Sequence, residues 1–310
     1  MHTDVIFKGE KGIQLENANI QIIVLPKFGG KIASIYHKNK KFEFAFQNKE
    51  KIYKKPKLYS NFSQFDAAGL DDAFPTIDQC EVEYMGKKII YPDHGEIWTS
   101  DFQVISIEEN KVKLRYVSRI LPYEYIKTIS LKNNKIKIEY SIENHGDEKF
   151  PCIWAAHFLI NCNEDMEIRL PKGTNYVRNV QKSSRLGQIN TIHTYPLTED
   201  LQGNEYNLSK VLSESSNHTE KYYVNNKVNE GMCSIYFQNV NLEYILKYDK
   251  EVLPYLGFWV TEGGFRGDYN CALEPTNGFY DNIDIAKKED KIFYLKAHDK
   301  LEFNMEIEIR

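Results

Sequence analysis

Apolar and polar residues alternate at a period of two through much of this chain. The pattern is plainest in KVKLRYVSRI (Lys111–Ile120), TISLKNNKIKIEYSIEN (Thr128–Asn144) and KLEFNMEIEIR (Lys300–Arg310), and weaker in NANIQIIVLP (Asn17–Pro26). Successive side chains of a strand point to opposite faces, so these runs predict strands with one buried and one solvated face. Turn formers separate them: Lys132-Asn133-Asn134, Asn144-His145-Gly146 and Phe28-Gly29-Gly30. No long segment keeps a helical period, and neither a GxGxxG run nor a P-loop occurs, which argues against a nucleotide-dependent α/β fold. The prediction is an all-β chain, an antiparallel sandwich or barrel. From Lys182 to Asn229 the pattern weakens and Ser, Asn and Glu accumulate, which reads as long loops or an excursion from the sheet.

Composition narrows the function classes. The 310 residues are 42% hydrophobic and 27% charged, enough for a large core. A formal net charge of -4 with dispersed Lys and Arg argues against a nucleic-acid partner or an anionic membrane surface. No apolar run reaches the roughly 20 residues of a membrane span, and MHTDVIFKGEKG lacks a signal-peptide core, so the cytoplasm is the expected location. Five cysteines (80, 152, 162, 233 and 271) without a CxxC pair predict buried thiols, not a disulfide scaffold or a zinc site.

Two residues stand where strands should end. In FPCIWAAHFLIN (Phe150–Asn161), strand parity puts Ile153, Ala155 and His157 on one face and Trp154 and Ala156 on the other. A small neighbour leaves room for a ligand beside His157, although a hydrogen-bonded core histidine would fit the same pattern. In NCALEPTNG (Asn270–Gly278), Ala272 and Glu274 share a face, and Pro275 holds Glu274 extended. That carboxylate can face a cleft or simply solvent. YPDHGEIW (Tyr91–Trp98) gathers Asp93, His94 and Glu96; if Gly95 keeps the parity, His94, Glu96 and Trp98 line one face. No spaced second ligand pair accompanies them, so no metal is expected, and substrate contact suits the loop better. Asp71 and Asp72 in GLDDAFPTI, read as a loop, offer acceptors for sugar hydroxyls or for water. Trp259, Glu262 and the Gly263-Gly264 pair mark a further possible contact segment, since an aromatic ring packs well on the C–H faces of a sugar.

The order of the His94, His157 and Glu274 segments resembles the aldose 1-epimerase (galactose mutarotase-like) family, in a divergent bacterial form. LPKFGGKIASIYHK (Leu25–Lys38) looks like its N-terminal strand pair, YSIENHGDEKFPCIWAAHF like its strand–turn–strand–His element, and YNCALEPTNG like its C-terminal Glu element. The resemblance covers nearly the whole chain and implies one domain, residues 1–310, built as a large antiparallel β-sandwich with a cleft across one sheet. It implies anomer interconversion of a small-molecule sugar without a cofactor. Glu274 would take the C1 hydroxyl proton, His157 would protonate the ring oxygen, and His94 would hydrogen-bond the sugar nearby. Asp71, Asp72, Glu96, Trp259 and Glu262 would be further sugar contacts. Three features depart from the family: its arginine before the first histidine is missing (the first arginine is Arg115), Phe158 replaces the proline after the second histidine, and no counterpart of its mid-chain aspartate is evident.

Other functions remain on the list. A hexose 6-phosphate would need a cationic site, and only Lys54, Lys55 and Lys57 cluster near these motifs. A carbohydrate-binding or sensor protein would keep the cleft without proton transfer. A polysaccharide-processing enzyme is disfavoured by the lack of a leader and of a second catalytic domain.

Overall fold

The computed structural model describes residues 2–65 and 67–310. The alternating segments form strands as expected. Lys135–Asn144 buries Ile136, Ile138, Tyr140 and Ile142, while Lys137, Glu139 and Glu143 point outward. Asn133 takes the left-handed conformation (φ 54°) in the turn that joins this strand to Tyr123–Lys132. Lys300–Ile309 lies antiparallel beside it, with Ile138 opposite Met305 and Ile136 opposite Ile307. These strands belong to an eight-stranded sheet, which runs from Met166–Arg169 at one edge to Gln103–Glu108 at the other.

A second sheet, of twelve strands, covers its apolar face. The strands in its middle run in the order Lys31–His37, Leu70–Ala73, Ala155–Asn161, Tyr269–Thr276, Tyr255–Glu262 and His218–Val224, each pair antiparallel. They are buried on both faces, which explains why FPCIWAAHFLIN reads as one apolar run without alternation. One face packs on the eight-stranded sheet and the other floors a cleft. Trp154 goes to the inter-sheet side, as its parity predicts: it packs on Tyr140 and Phe303, and its Nε1 donates to Tyr125 Oη at 2.7 Å. The fold is thus the large antiparallel all-β sandwich expected.

The weakly patterned stretch is only partly a loop excursion. It holds the short strands Ile192–Thr194, Leu197–Glu199 and Glu205–Asn207, but it also supplies His218–Val224, a strand in the middle of the large sheet. Among the described residues, no helix is long and apolar enough to cross a membrane.

Candidate functional site

Register sets the site. Ala155 lies opposite Thr276 and Leu159 opposite Ala272, so His157, midway between, falls opposite Glu274. On the other flank His157 pairs with Asp71, while Glu274 pairs with Gly257 and Gly257 with Tyr223. Asp71, His157, Glu274, Gly257 and Tyr223 therefore form one row across five strands, and directly paired residues share a face. The next row on that face runs Leu159, Ala272, Trp259, Lys221.

Above these rows lies a cavity of about 300 Å³ whose lining includes His94, His157, Lys221, Trp259, Phe62 and Asp281. Phe62 stacks on His94, with ring centroids 4.1 Å apart and planes 14° apart, and the His94 and His157 rings are 4.8 Å apart. Asp93 anchors this wall: its Oδ1 is 2.8 Å from His94 Nδ1, its Oδ2 accepts from the Phe62 amide at 2.8 Å, and its carbonyl accepts from Trp98 Nε1 at 2.9 Å. Burial alone would raise the Asp93 carboxyl, but the His94 imidazole and the Phe62 N–H hold it below its usual range.

Electrostatics at the floor are set by burial and by one cation. Burial pushes the His157 imidazole well below its ordinary value, helped by the positive charges of His94, Lys221 and Lys31. Burial raises the Glu274 carboxyl, the Lys221 ammonium opposes this, and Asp281 adds to it. Burial would lower Lys221, but Asp281 and Glu274 outweigh it and keep the ammonium protonated. Glu274 has 0% exposure and does not itself line the cavity, whereas Lys221, 7% exposed, does.

His157, His94 and Trp259 thus meet at the cavity, with Glu274 directly beneath. The other sequence-derived contacts do not reach it. The Asp71-Asp72 segment is a strand, Leu70–Ala73, not a loop, so the two carboxylates point to opposite faces. Asp71 sits beside His157, paired with Lys31 at 3.1 Å. Asp72 points between the sheets, where it accepts from Lys127 Nζ at 2.9 Å, Tyr125 Oη at 3.0 Å and Tyr140 Oη at 2.9 Å.

Glu96 also turns into the core, because His94 (φ 57°) and Gly95 (φ 71°) are both left-handed and reverse the parity assumed for the loop. A side chain on Gly95 would meet the Phe74 carbonyl at 2.0 Å, so only glycine permits this path. Glu96 accepts from Tyr123 Oη at 2.6 Å, Tyr116 Oη at 3.1 Å and the Ser118 hydroxyl. Glu262 lies on the face away from the cleft and ties down the excursion, accepting from the Leu212 amide at 2.7 Å and from Arg185 at 3.3 Å. Lys55 and Lys57 line a separate groove with Arg115 and Arg119, and Lys55 pairs with Asp101. Among the described residues, no group of three His, Cys, Asp or Glu side chains is arranged to hold a metal ion.

Sequence reasoning missed Lys221, Asp281 and Phe62. Lys221 lies in HTEKYYV, inside the polar stretch, where a lysine reads as solvated; only the strand pairing turns it inward. Asp281 sits in a bend and Phe62 opens a one-turn 3-10 helix, Phe62–Gln64, and no motif marks either.

No protein-family model and no curated protein matches the chain. Solved structures do. The Slr1438 protein from Synechocystis sp. PCC 6803 is similar with a TM-score of 0.71 at 16% identity, over 97% of this chain and 96% of that one. A galactose mutarotase related enzyme from Lactobacillus acidophilus gives 0.69 at 15% identity, over 96% and 97%. A candidate aldose 1-epimerase from Escherichia coli K12 gives 0.69 at 14% identity, over 99% of both chains. With its two stacked antiparallel sheets and its cleft across the larger one, the chain has the galactose mutarotase-like fold.

Proposed function

We propose that this protein interconverts the α and β anomers of an uncharged aldose by general acid–base opening and closing of the ring. The observation that carries the reading is the shared row: an imidazole, His157, and a carboxyl, Glu274, on neighbouring strands beneath a cavity suited to one small ligand. Likeness of fold to proteins named as mutarotase-related and as candidate aldose 1-epimerases supports it.

Glu274 takes the proton of the C1 hydroxyl. The bond from C1 to the ring oxygen breaks, and the ring oxygen takes a proton from His157. Rotation about C1–C2 presents the other carbonyl face, and closure returns both protons. Neither group bonds covalently to the sugar, and no cofactor enters. The depressed His157 imidazole is a strong acid when charged, and the reaction slows as rising pH removes that charge.

Two features favour an uncharged sugar over a phosphorylated one. Among the described residues lining the cavity, Lys221 is the one lysine or arginine, and it is already paired with two carboxylates. Asp78, Asp93, Asp268 and Asp281 line the same cavity and would repel a phosphate dianion. One observation favours sugar binding without turnover instead: the Glu274 carboxylate is closed off from the cavity. Proton NMR exchange between anomers, over a panel of free aldoses, separates the two. Accelerated exchange that falls at least about a hundredfold in Glu274→Gln and in His157→Asn, with sugar affinity retained, supports the epimerase. Binding without acceleration sinks it and leaves the binding protein.

A further inference from the structure

Resting on the reading of Glu274 as the proton acceptor, we infer that Lys221 is a positioning residue for that base: it holds Glu274 in the carboxylate form, and Asp281 with Tyr223 holds Lys221 in place.

The geometry is a short chain of contacts. Lys221 Nζ lies 3.1 Å from Glu274 Oε2 and 2.7 Å from Asp281 Oδ2, and the Tyr223 hydroxyl donates to Asp281 Oδ1 at 2.7 Å. Lys221 and Tyr223 come from one strand, two residues apart and therefore on one face; Glu274 comes from a strand two places away in the sheet, and Asp281 from the turn that follows Glu274. Gly257, on the strand between, supplies the space: a Cβ there would meet the Tyr223 ring at 3.0 Å and Glu274 Oε2 at 3.1 Å. The two carboxylates have no other ion-pair partner among the described residues.

The physical need for this cation is plain. A carboxyl with no exposed surface prefers to be neutral, and a neutral carboxyl accepts no proton. The other titratable groups facing Glu274 do not supply a fixed positive charge. His157, opposite it, is depressed by burial; Asp281 and, beside it, Asp78 are acidic; His94 reaches it from the loop wall but is engaged with Asp93. Lys221 alone pairs with the carboxylate directly. Lys221 also lines the cavity itself, whereas Glu274 does not.

The test reads Glu274 itself. Glutamate labelled with ¹³C at the carboxyl is titrated by NMR, the Glu274 signal being assigned with Glu274→Gln, in wild type, Lys221→Met, Lys221→Gln and Lys221→Arg. In Lys221→Met the titration should move up by at least one pH unit. The acid limb of kcat/KM should move with it, at tenfold in rate per unit, and Lys221→Arg should restore both. A folded Lys221→Met whose Glu274 titration is unmoved overturns the inference. Should Lys221→Met fail to fold, an unmoved Glu274 titration in Lys221→Gln, which keeps a polar side chain but removes the charge, overturns it equally. The NMR readout needs no turnover, so a protein that accelerates no sugar would refute the epimerase reading while this coupling is still decided by titration.

Discussion

Replacing Asp72 with alanine would strand the Lys127 ammonium between the two sheets. Lys127 has no exposed surface, and its ion-pair partner is Asp72, 2.9 Å away. Removing one member of a buried pair costs about 3–5 kcal/mol, because the other charge stays buried and uncompensated. The Tyr125 and Tyr140 hydroxyls lose their acceptor as well, at roughly 1 kcal/mol each. The expected loss, about 5–7 kcal/mol, is comparable to the whole stability of many proteins. Urea unfolding followed by tyrosine and tryptophan fluorescence reads it directly, because Trp154 donates to Tyr125 in the same cluster. The double variant Asp72→Leu with Lys127→Met removes both charges and should recover most of the loss. A substrate contact behaves differently. If Asp72→Ala kept the wild-type urea midpoint and lost only sugar affinity, the placement of this carboxylate in the core would be refuted.

Two further outcomes follow from named contacts. Gly257→Ala should keep the sheet yet cost about 1–3 kcal/mol and displace Glu274 or Tyr223, lowering the mutarotation rate more than sugar affinity; thermal unfolding and anomer exchange check the two parts, and unchanged values in both would show that the row has slack. Glu220, 1% exposed on the strand face opposite Lys221, has its carboxyl pushed up by burial to about 7. The folded protein therefore holds that proton more tightly than the unfolded chain does. This contribution to stability is complete below the ordinary value of 4.5 and is lost as the pH rises through about 7, a change of about 3 kcal/mol. Glu220→Gln should flatten that part of the stability profile between pH 5 and pH 8, and an unaltered profile would refute the assignment.

The sequence by itself determined the strands, because alternation follows from backbone geometry alone. Ile136, Ile138, Tyr140 and Ile142 face inward as their spacing requires, and Trp154 faces away from His157 by simple parity. It also singled out His157 and Glu274 as ionisable groups in apolar strands, although both lie within their strands and not at the ends, and His94 and Trp259 from short segments rich in polar groups and glycine. Which strands become neighbours is not local. Ala155–Asn161 and Tyr269–Thr276 are separated by more than a hundred residues, and only their pairing puts His157 opposite Glu274. Parity failed where its premise failed: Asp71-Asp72 was read as a loop and is a strand, while His94 and Gly95 turn left-handed and send Glu96 to the core. Lys221 was invisible for a related reason. A lysine amid polar residues looks solvated until a strand two places away presents a buried carboxylate, and that charge pairing exists only in the folded sheet.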